Sequence, residues 1–429
     1  MRYQPINKKM YIRNRAKLVD KLKPGSLAIV NSNDEMPRSG DQTFIFRQNS
    51  DMFYLTGLDQ EKCILTLCPS HPVSTMREML FTMKTSDMMV IWNGHKYTLE
   101  EVREVSGIPN VKWLDDFEIT LRDLMSRVQV VYLNQNEYPK FMTDVPVLDA
   151  RFAGKMRQDF PVHTYERLAP ILTDLRMVKE PEEIVQIQKA CDLTNDGFRR
   201  ILKFVKPGLK EYEIEAEFTH EFMRKGGTGH AYTPIIASGA NACILHYTTN
   251  FNICNDGDLL LMDVGAEYGN YAADMTRTIP VNGKFNPRQR QVYDAVLRIL
   301  KAATIMLKPG TTIEKWHADV CKLMEKELVG LGLISKEDLK NQTADSPAYF
   351  RYYMHGTGHF LGLDVHDVGS RQDIFKNGMV MTCEPGIYIP EEGIGIRLEN
   401  DVMVAEEPVN LMAHIPVEPE EIEMLMANR

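Results

Sequence analysis

Three of the chain's eleven histidines, His355, His359 and His366, fall within twelve consecutive residues, in the run HGTGHFLGLDVHDVG. Imidazoles so close together suit metal ligation or proton transfer. The HxxxH spacing would turn two rings to one side of a helix, as in HExxH zinc peptidases. No Glu follows His355, however, and Gly356, Gly358 and Gly362 disfavour a helix. As extended chain, His355 and His359 share a face because they lie an even number of residues apart. His366, seven residues beyond His359, falls on the other face unless the chain bends near Gly362-Leu363-Asp364.

Acids lie on either side of this run in sequence. LLLMDVGAEYGNYAADMTRTI (Leu259 to Ile279) reads as a hairpin with its turn in Glu267-Tyr268-Gly269-Asn270. Centred between Tyr268 and Gly269, it sets Asp263 opposite Asp274. CEPGIYIPEEGIGIRLEND (Cys383 to Asp401) reads as a second hairpin, turning at Pro390-Glu391-Glu392-Gly393 and setting Glu384 opposite Glu399. Like charges facing across a ladder are destabilising. One pair about 5 Å apart costs roughly 3 kcal/mol at an effective dielectric near 20. Two such pairs beside a histidine-rich strand call for a cation. We therefore expect a binuclear metal centre with Asp263, Asp274, His359, Glu384 and Glu399 as ligands. Four carboxylates and one imidazole form a hard, oxygen-rich set suited to Mn²⁺, with Co²⁺, Fe²⁺ or Zn²⁺ as alternatives.

The elements that must hold these residues are legible in outline. A chain of 429 residues exceeds one ordinary core, and two domains are expected. Residues 1–175 read as a smaller α/β domain with β-rich runs at Leu27–Val30, Ile64–Leu67, Met79–Met83, Met88–Trp92 and Val128–Leu133, and a helix over Phe117–Arg127. The boundary falls near Arg176 to Pro181, where Glu180-Pro181-Glu182-Glu183-Ile184 starts a helix; Glu418-Pro419-Glu420-Glu421-Ile422 starts another. Residues 176–429 hold an internal repeat. Two long helices end in Lys206-Pro207-Gly208 and Lys308-Pro309-Gly310; each is followed by a second amphipathic helix and then by β-rich sequence. That grammar implies two similar halves packed as α+β.

Composition excludes several functions. A net charge of −9 gives no footprint for nucleic acid, and a mean hydropathy of −0.29 argues against a membrane-bound chain. The basic run Lys8 to Lys17 is not followed by an apolar stretch of signal length and reads as a solvated helix face. The seven cysteines show no CxxC pair, which suits free thiols in the cytoplasm. Neither GxGxxG nor GxxxxGK[ST] is present.

Taken together, Asp263, Asp274, HGTGHFLGLDVHDVG, EPGIY and GIGIRLEND resemble the pita-bread metallopeptidases, with the Xaa-Pro aminopeptidases (aminopeptidase P) as the most similar group. FRQNSDMFYLTG and SGANACILHYTTN extend the resemblance over nearly the whole chain. It implies a pita-bread catalytic domain behind an aminopeptidase P-like N-terminal domain, and two divalent ions. Asp263 would bind one ion, His359 and Glu384 the other, with Asp274 and Glu399 bridging. It also implies active-site roles for His246, His355 and His366, and Arg397 and Tyr232 as the pair orienting Asp263. Trp92 would contribute to substrate binding, from a neighbouring subunit of a dimer or tetramer. Tyr232, His246 and His355 would also line the substrate site. The implied substrates are peptides with proline in the second position. Ala240 departs from the group's SGEN motif, which has Glu there. Prolidase, which splits only Xaa-Pro dipeptides, shares these ligands; the short Ser370–Thr382 connection offers little to limit substrate length and favours the aminopeptidase. A non-catalytic binding module on the same fold is disfavoured because all five ligands are present.

Overall fold

Proline and acid mark the helix starts in the three-dimensional structure. Pro181 opens the helix Pro181–Phe204 with Glu182 and Glu183 in its first turn, and Pro419 opens Pro419–Ala427 in the same way. Proline's missing N–H costs nothing at that position, and the acids meet the positive end of the helix dipole. The computed structural model describes residues 3–428, which divide into two compact units. One is Pro5–Arg176; the other runs from Met177 to the C-terminal end and includes Tyr3 and Gln4.

The Pro5–Arg176 unit is built on a six-stranded mixed sheet. Its strands lie in the order Val111–Trp113, Glu78–Thr82, Cys63–Leu67, Ser26–Asn31, Val130–Leu133, Thr164–Arg167. Leu27, Ile29, Phe81 and Val131 from the sheet pack with Leu121 and Leu124 of the helix Phe117–Met125 and Met156 of the helix Leu148–Asp159. The FRQNSDMFYLTG segment forms the helix Ser50–Thr56. The Asn49 side chain caps it by accepting from the N–H groups of Asp51 and Met52, and Gly57 ends it at φ 70°.

Two expectations fail in this unit. Met88–Trp92 is not a strand but part of the helix Asp87–Asn93, because Ser86 caps its first turn by accepting from the Met89 N–H and Gly94 ends it with φ 77°. Local capping outweighs the β-propensity of Val90, Ile91 and Trp92. The basic run forms the helix Lys8–Val19, but its face is not wholly solvated. Arg15 is buried, where it pairs with Glu78 and donates to the Leu55 carbonyl at 2.6 Å.

The second unit repeats a helix pair followed by β structure. Pro181–Phe204 is followed by Glu211–Arg224, and Pro287–Ile305 by Ile313–Gly330. After the first pair come antiparallel strands Ile235–Ser238, Leu259–Val264 and Met275–Pro280; after the second, Val380–Cys383, Asn400–Met403 and the ribbon Gly386–Ile389/Ile394–Arg397. The buried Arg277 fastens the halves together. Its guanidinium donates to the Glu399 and Pro416 carbonyls at 2.6 and 2.9 Å and to Asn400 Oδ1 at 2.7 Å.

The hairpin registers decide where the acids fall. In the second hairpin, Gly386 pairs with Arg397 and Cys383 with Asn400, so the same register puts Glu384 opposite Glu399. In the first, Asp263 pairs with Thr276 rather than with Asp274. The tight turn is Gly269-Asn270, with φ of 59° and 65°, one residue further along than the sequence suggests. Positive φ at both central residues makes it a type I′ turn, whose twist matches the flanking strands. Asp274 therefore stands diagonally from Asp263 on the same face, still within reach of it.

Candidate metal centre

His359 is placed by a strand-like run beside Val380–Cys383. The N–H groups of Thr382 and Leu361 donate to the carbonyls of His359 and Val380 at 2.9 and 3.1 Å, and that of Glu384 to Thr357 at 2.8 Å. A Cβ on Gly358 would lie 2.0 Å from the Thr382 oxygen, so only glycine lets the two backbones meet here. His359 and Glu384 thus come from adjacent extended chains. Beyond His359 the chain doubles back, with Gly362 N–H on the Asp364 carbonyl at 3.1 Å and Asp367 N–H on that of Phe360 at 2.9 Å. This bend at Gly362–Asp364 brings His366 to the site, its ring 4.4 Å from that of His359. A buried ion pair, Lys179 Nζ to Asp367 Oδ2 at 2.8 Å, anchors the returning strand of the loop.

The carboxylates converge on His359. Its Nε2 lies 3.4 Å from Asp274 Oδ2 and 3.9 Å from Glu384 Oε1. Asp274, His359 and Glu399 each offer a ligand atom within 4.8 Å of the other two. The Tyr232 hydroxyl lies 2.6 Å from Asp263 Oδ1 and 2.5 Å from Asp274 Oδ1, so its single hydrogen serves one acid or the other. Arg397 Nη2 donates to Asp263 Oδ2 at 2.5 Å, and Thr276 Oγ1 to Glu399 Oε2 at 2.6 Å.

Charge in this pocket is unbalanced. Burial, reinforced by Asp274 and Asp263 and opposed by His359 and Arg397, pushes Glu384 up to about 7. Burial and the neighbouring acids hold Glu399 well above the usual carboxylate range and raise Asp263 as well. Burial alone would lower His359, but the Asp274 and Glu384 carboxylates outweigh it and raise the imidazole to about 9. Four acids thus share one guanidinium and one imidazole. The surplus negative charge and the oxygen-rich donors fit hard divalent cations.

The remaining candidate residues are placed as follows. His355 has partners on both ring nitrogens, with the Tyr388 hydroxyl 2.8 Å from Nε2 and the Gly356 carbonyl 2.8 Å from Nδ1. Burial, aided by Arg397, pushes it down to about 3, so it is neutral at physiological pH. His246 is exposed on the loop after Ile235–Ser238, close enough to His355 to contribute to that depression. Trp92 belongs to the other unit and is 79% exposed. Sequence reasoning missed Tyr388, which links Arg397 to His355 by accepting from Arg397 Nη1 at 2.9 Å. A signal for it existed, since Tyr388 is an even number of residues from Glu384 and shares its face in extended chain.

Residues 185–406 match the model of metallopeptidase family M24, and residues 11–132 that of the aminopeptidase P N-terminal domain. A Xaa-Pro aminopeptidase of Escherichia coli K12 is 38% identical over 98% of each chain. Two solved structures superpose along the whole fold. A putative aminopeptidase P from Bacillus anthracis is 35% identical over 99% of each chain with a TM-score of 0.92. Aminopeptidase P from E. coli, solved with the inhibitor Pro-Leu, is also 35% identical over 99% of each, with a TM-score of 0.87. The likeness runs through both units and takes in the two acidic hairpins and the histidine run, and on that ground the chain belongs to metallopeptidase family M24 and carries an aminopeptidase P N-terminal domain.

Proposed function

We propose that this chain is a metal-dependent Xaa-Pro aminopeptidase, releasing the first residue of peptides that carry proline second. The observation that supports it best is the end-to-end likeness to the E. coli Xaa-Pro aminopeptidase in a chain whose Asp274 and Glu384 carboxylates gather around His359. Asp263 would hold one ion and His359 with Glu384 the other, with Asp274 and Glu399 shared. Mn²⁺ suits this donor set best, with Co²⁺, Fe²⁺ or Zn²⁺ as substitutes. Divalent ions there would supply Lewis-acid activation of water and of the scissile carbonyl.

The chain's own groups do the rest. Glu384, with an oxygen 3.9 Å from His359, takes the proton of the attacking water and passes it to the leaving prolyl nitrogen. Arg397 and Tyr232 fix Asp263, beside which the free α-amino group of the substrate fits. His366, packed edge-on against His359, donates to the oxygen of the tetrahedral intermediate. His355 is held through Tyr388 in the same hydrogen-bonded chain as Arg397 and Asp263, and contacts the proline-side backbone. His246 meets the substrate from its loop. Trp92, exposed on its helix, fits a role in substrate binding across an interface of a dimeric or tetrameric cytoplasmic enzyme.

Metal analysis of Mn²⁺-reconstituted protein should give about two ions per chain. His359→Ala should weaken one of them, and added Mn²⁺ should partly restore its activity. A single ion per chain in fully active protein would exclude the binuclear arrangement.

Substrate length tests the reading against prolidase. Ala-Pro-Ala and longer peptides should be hydrolysed with higher kcat/KM than Ala-Pro under saturating Mn²⁺, because the Ser370–Thr382 connection is short. Preference for the dipeptide would make the chain a prolidase.

A further inference from the structure

Glu211 is the first residue of the helix Glu211–Arg224 and is fully buried. Its carboxylate accepts five hydrogen bonds, all from one segment of chain. Oε1 receives the Ser238 N–H at 2.8 Å, the Ser238 hydroxyl at 2.7 Å and Asn241 Nδ2 at 3.4 Å. Oε2 receives the Tyr247 hydroxyl and the Asn252 N–H, both at 2.8 Å. The Glu211 N–H in turn donates to the Asn252 carbonyl at 3.0 Å. Besides these donors, Glu211 faces the N–H groups at the start of its own helix.

The segment so gathered, Ser238 to Asn252, leaves the strand Ile235–Ser238, makes one short 3₁₀ turn over Gly239–Cys243 and otherwise has no regular structure. It carries His246 at its exposed outer end, next to Tyr247, whose hydroxyl is one of the five donors. Irregular chain of this kind is mobile unless something rigid holds it. Glu211 holds both feet of the loop, at Ser238 and Asn252, and a point beside its tip, at Tyr247. Ala240 makes no hydrogen bond of its own side chain here, so the anchoring falls to the residues around it.

We propose that Glu211 is a positioning residue for His246, a buried carboxylate that sets the height and angle of the histidine loop over the substrate. The proposal rests on the reading of His246 as a substrate-contacting residue. Gln at this position keeps the shape but presents an NH₂ group to donors that need an acceptor. In Mn²⁺-loaded protein, Glu211→Gln should lower kcat/KM for Ala-Pro-Ala about 10- to 100-fold, with bound metal unchanged. Tyr247→Phe, which removes one of the five donors together with the long Phe251 N–H contact to the same hydroxyl, leaves the helix intact and should act in the same direction by about 3- to 10-fold; it supplies the test if the Gln variant does not fold. The decisive measurement is the same substitution placed in a His246→Ala background. If Glu211 acts through His246, Glu211→Gln or Tyr247→Phe should there cost less than about twofold, whereas a general structural role would multiply the two losses. Multiplicative losses, wild-type kinetics of both variants, or loss of bound metal in Glu211→Gln would overturn the proposal. Wild-type activity of His246→Ala alone would instead overturn the underlying role of His246.

Discussion

Glu384→Gln should lower kcat for Xaa-Pro-Yaa hydrolysis by about 10²–10⁴-fold, the usual contribution of a placed proton carrier. Glutamine reproduces the side chain's length and one acceptor oxygen but cannot take up and release a proton at neutral pH. Glu384 combines two demands that the structure joins in one place. It stands opposite Glu399 in the hairpin register, with an oxygen 3.9 Å from His359. The substitution also removes a proposed metal ligand, so turnover must be measured across a Mn²⁺ titration. A low kcat that persists at saturating metal assigns the loss to proton transfer. Recovery to within tenfold of the parent at high Mn²⁺ would leave Glu384 a ligand only and pass the proton to another group.

Lys179→Met should destabilise the unit that carries the acids by about 3–5 kcal/mol. Both side chains of the Lys179–Asp367 pair are 1% exposed, and Glu183 lies buried beside them, raised by burial to about 7 despite the attraction of Lys179. Removing the ammonium takes a buried cation from beside two buried acids, which costs far more than the pair contributes over an apolar replacement. Such a loss is a large share of the 5–15 kcal/mol that holds a typical domain folded. Denaturant unfolding followed by a probe in the second unit measures it. The double variant Lys179→Met/Asp367→Leu should regain much of the lost stability. Single and double variants of equal stability would show that the pair does not carry the buried loop.

The sequence announces what local chemistry controls. Proline with acids predicts the starts at Pro181 and Pro419, the two Lys-Pro-Gly runs predict the repeated helix pairs, and Pro390-Glu391-Glu392-Gly393 predicts the second hairpin's register. The first hairpin turns one residue later than expected, shifting its pairing by two, because Tyr268-Gly269 and Gly269-Asn270 both look like turns; two positive φ values at Gly269 and Asn270 decide between them. Asp87–Asn93 resembles a strand in sequence because its caps, Ser86 and Gly94, lie outside the apolar run. The bend that returns His366 to His359 is visible in the sequence only as a condition that must hold. What fulfils it are the Gly362–Asp364 and Asp367–Phe360 backbone bonds and, gripping Asp367, Lys179 from nearly two hundred residues away. Glu211 is invisible for the same reason. A carboxylate's burial is set by donors from distant segments, and nothing within the residues around it announces them.

Arg277 draws its acceptors from Glu399, Asn400 and Pro416, in the half of the repeat opposite its own. The aspartates at 263 and 274 and the set formed by His359, Glu384 and Glu399 are therefore brought face to face only when the halves dock. Neither half alone owns a complete donor set, and each hairpin by itself holds acids that repel. On the proposed ligand set, binding of both ions therefore requires the two halves to be docked. On that reading, a chain whose halves have slipped apart would carry every residue the chemistry needs yet stay inert toward peptides.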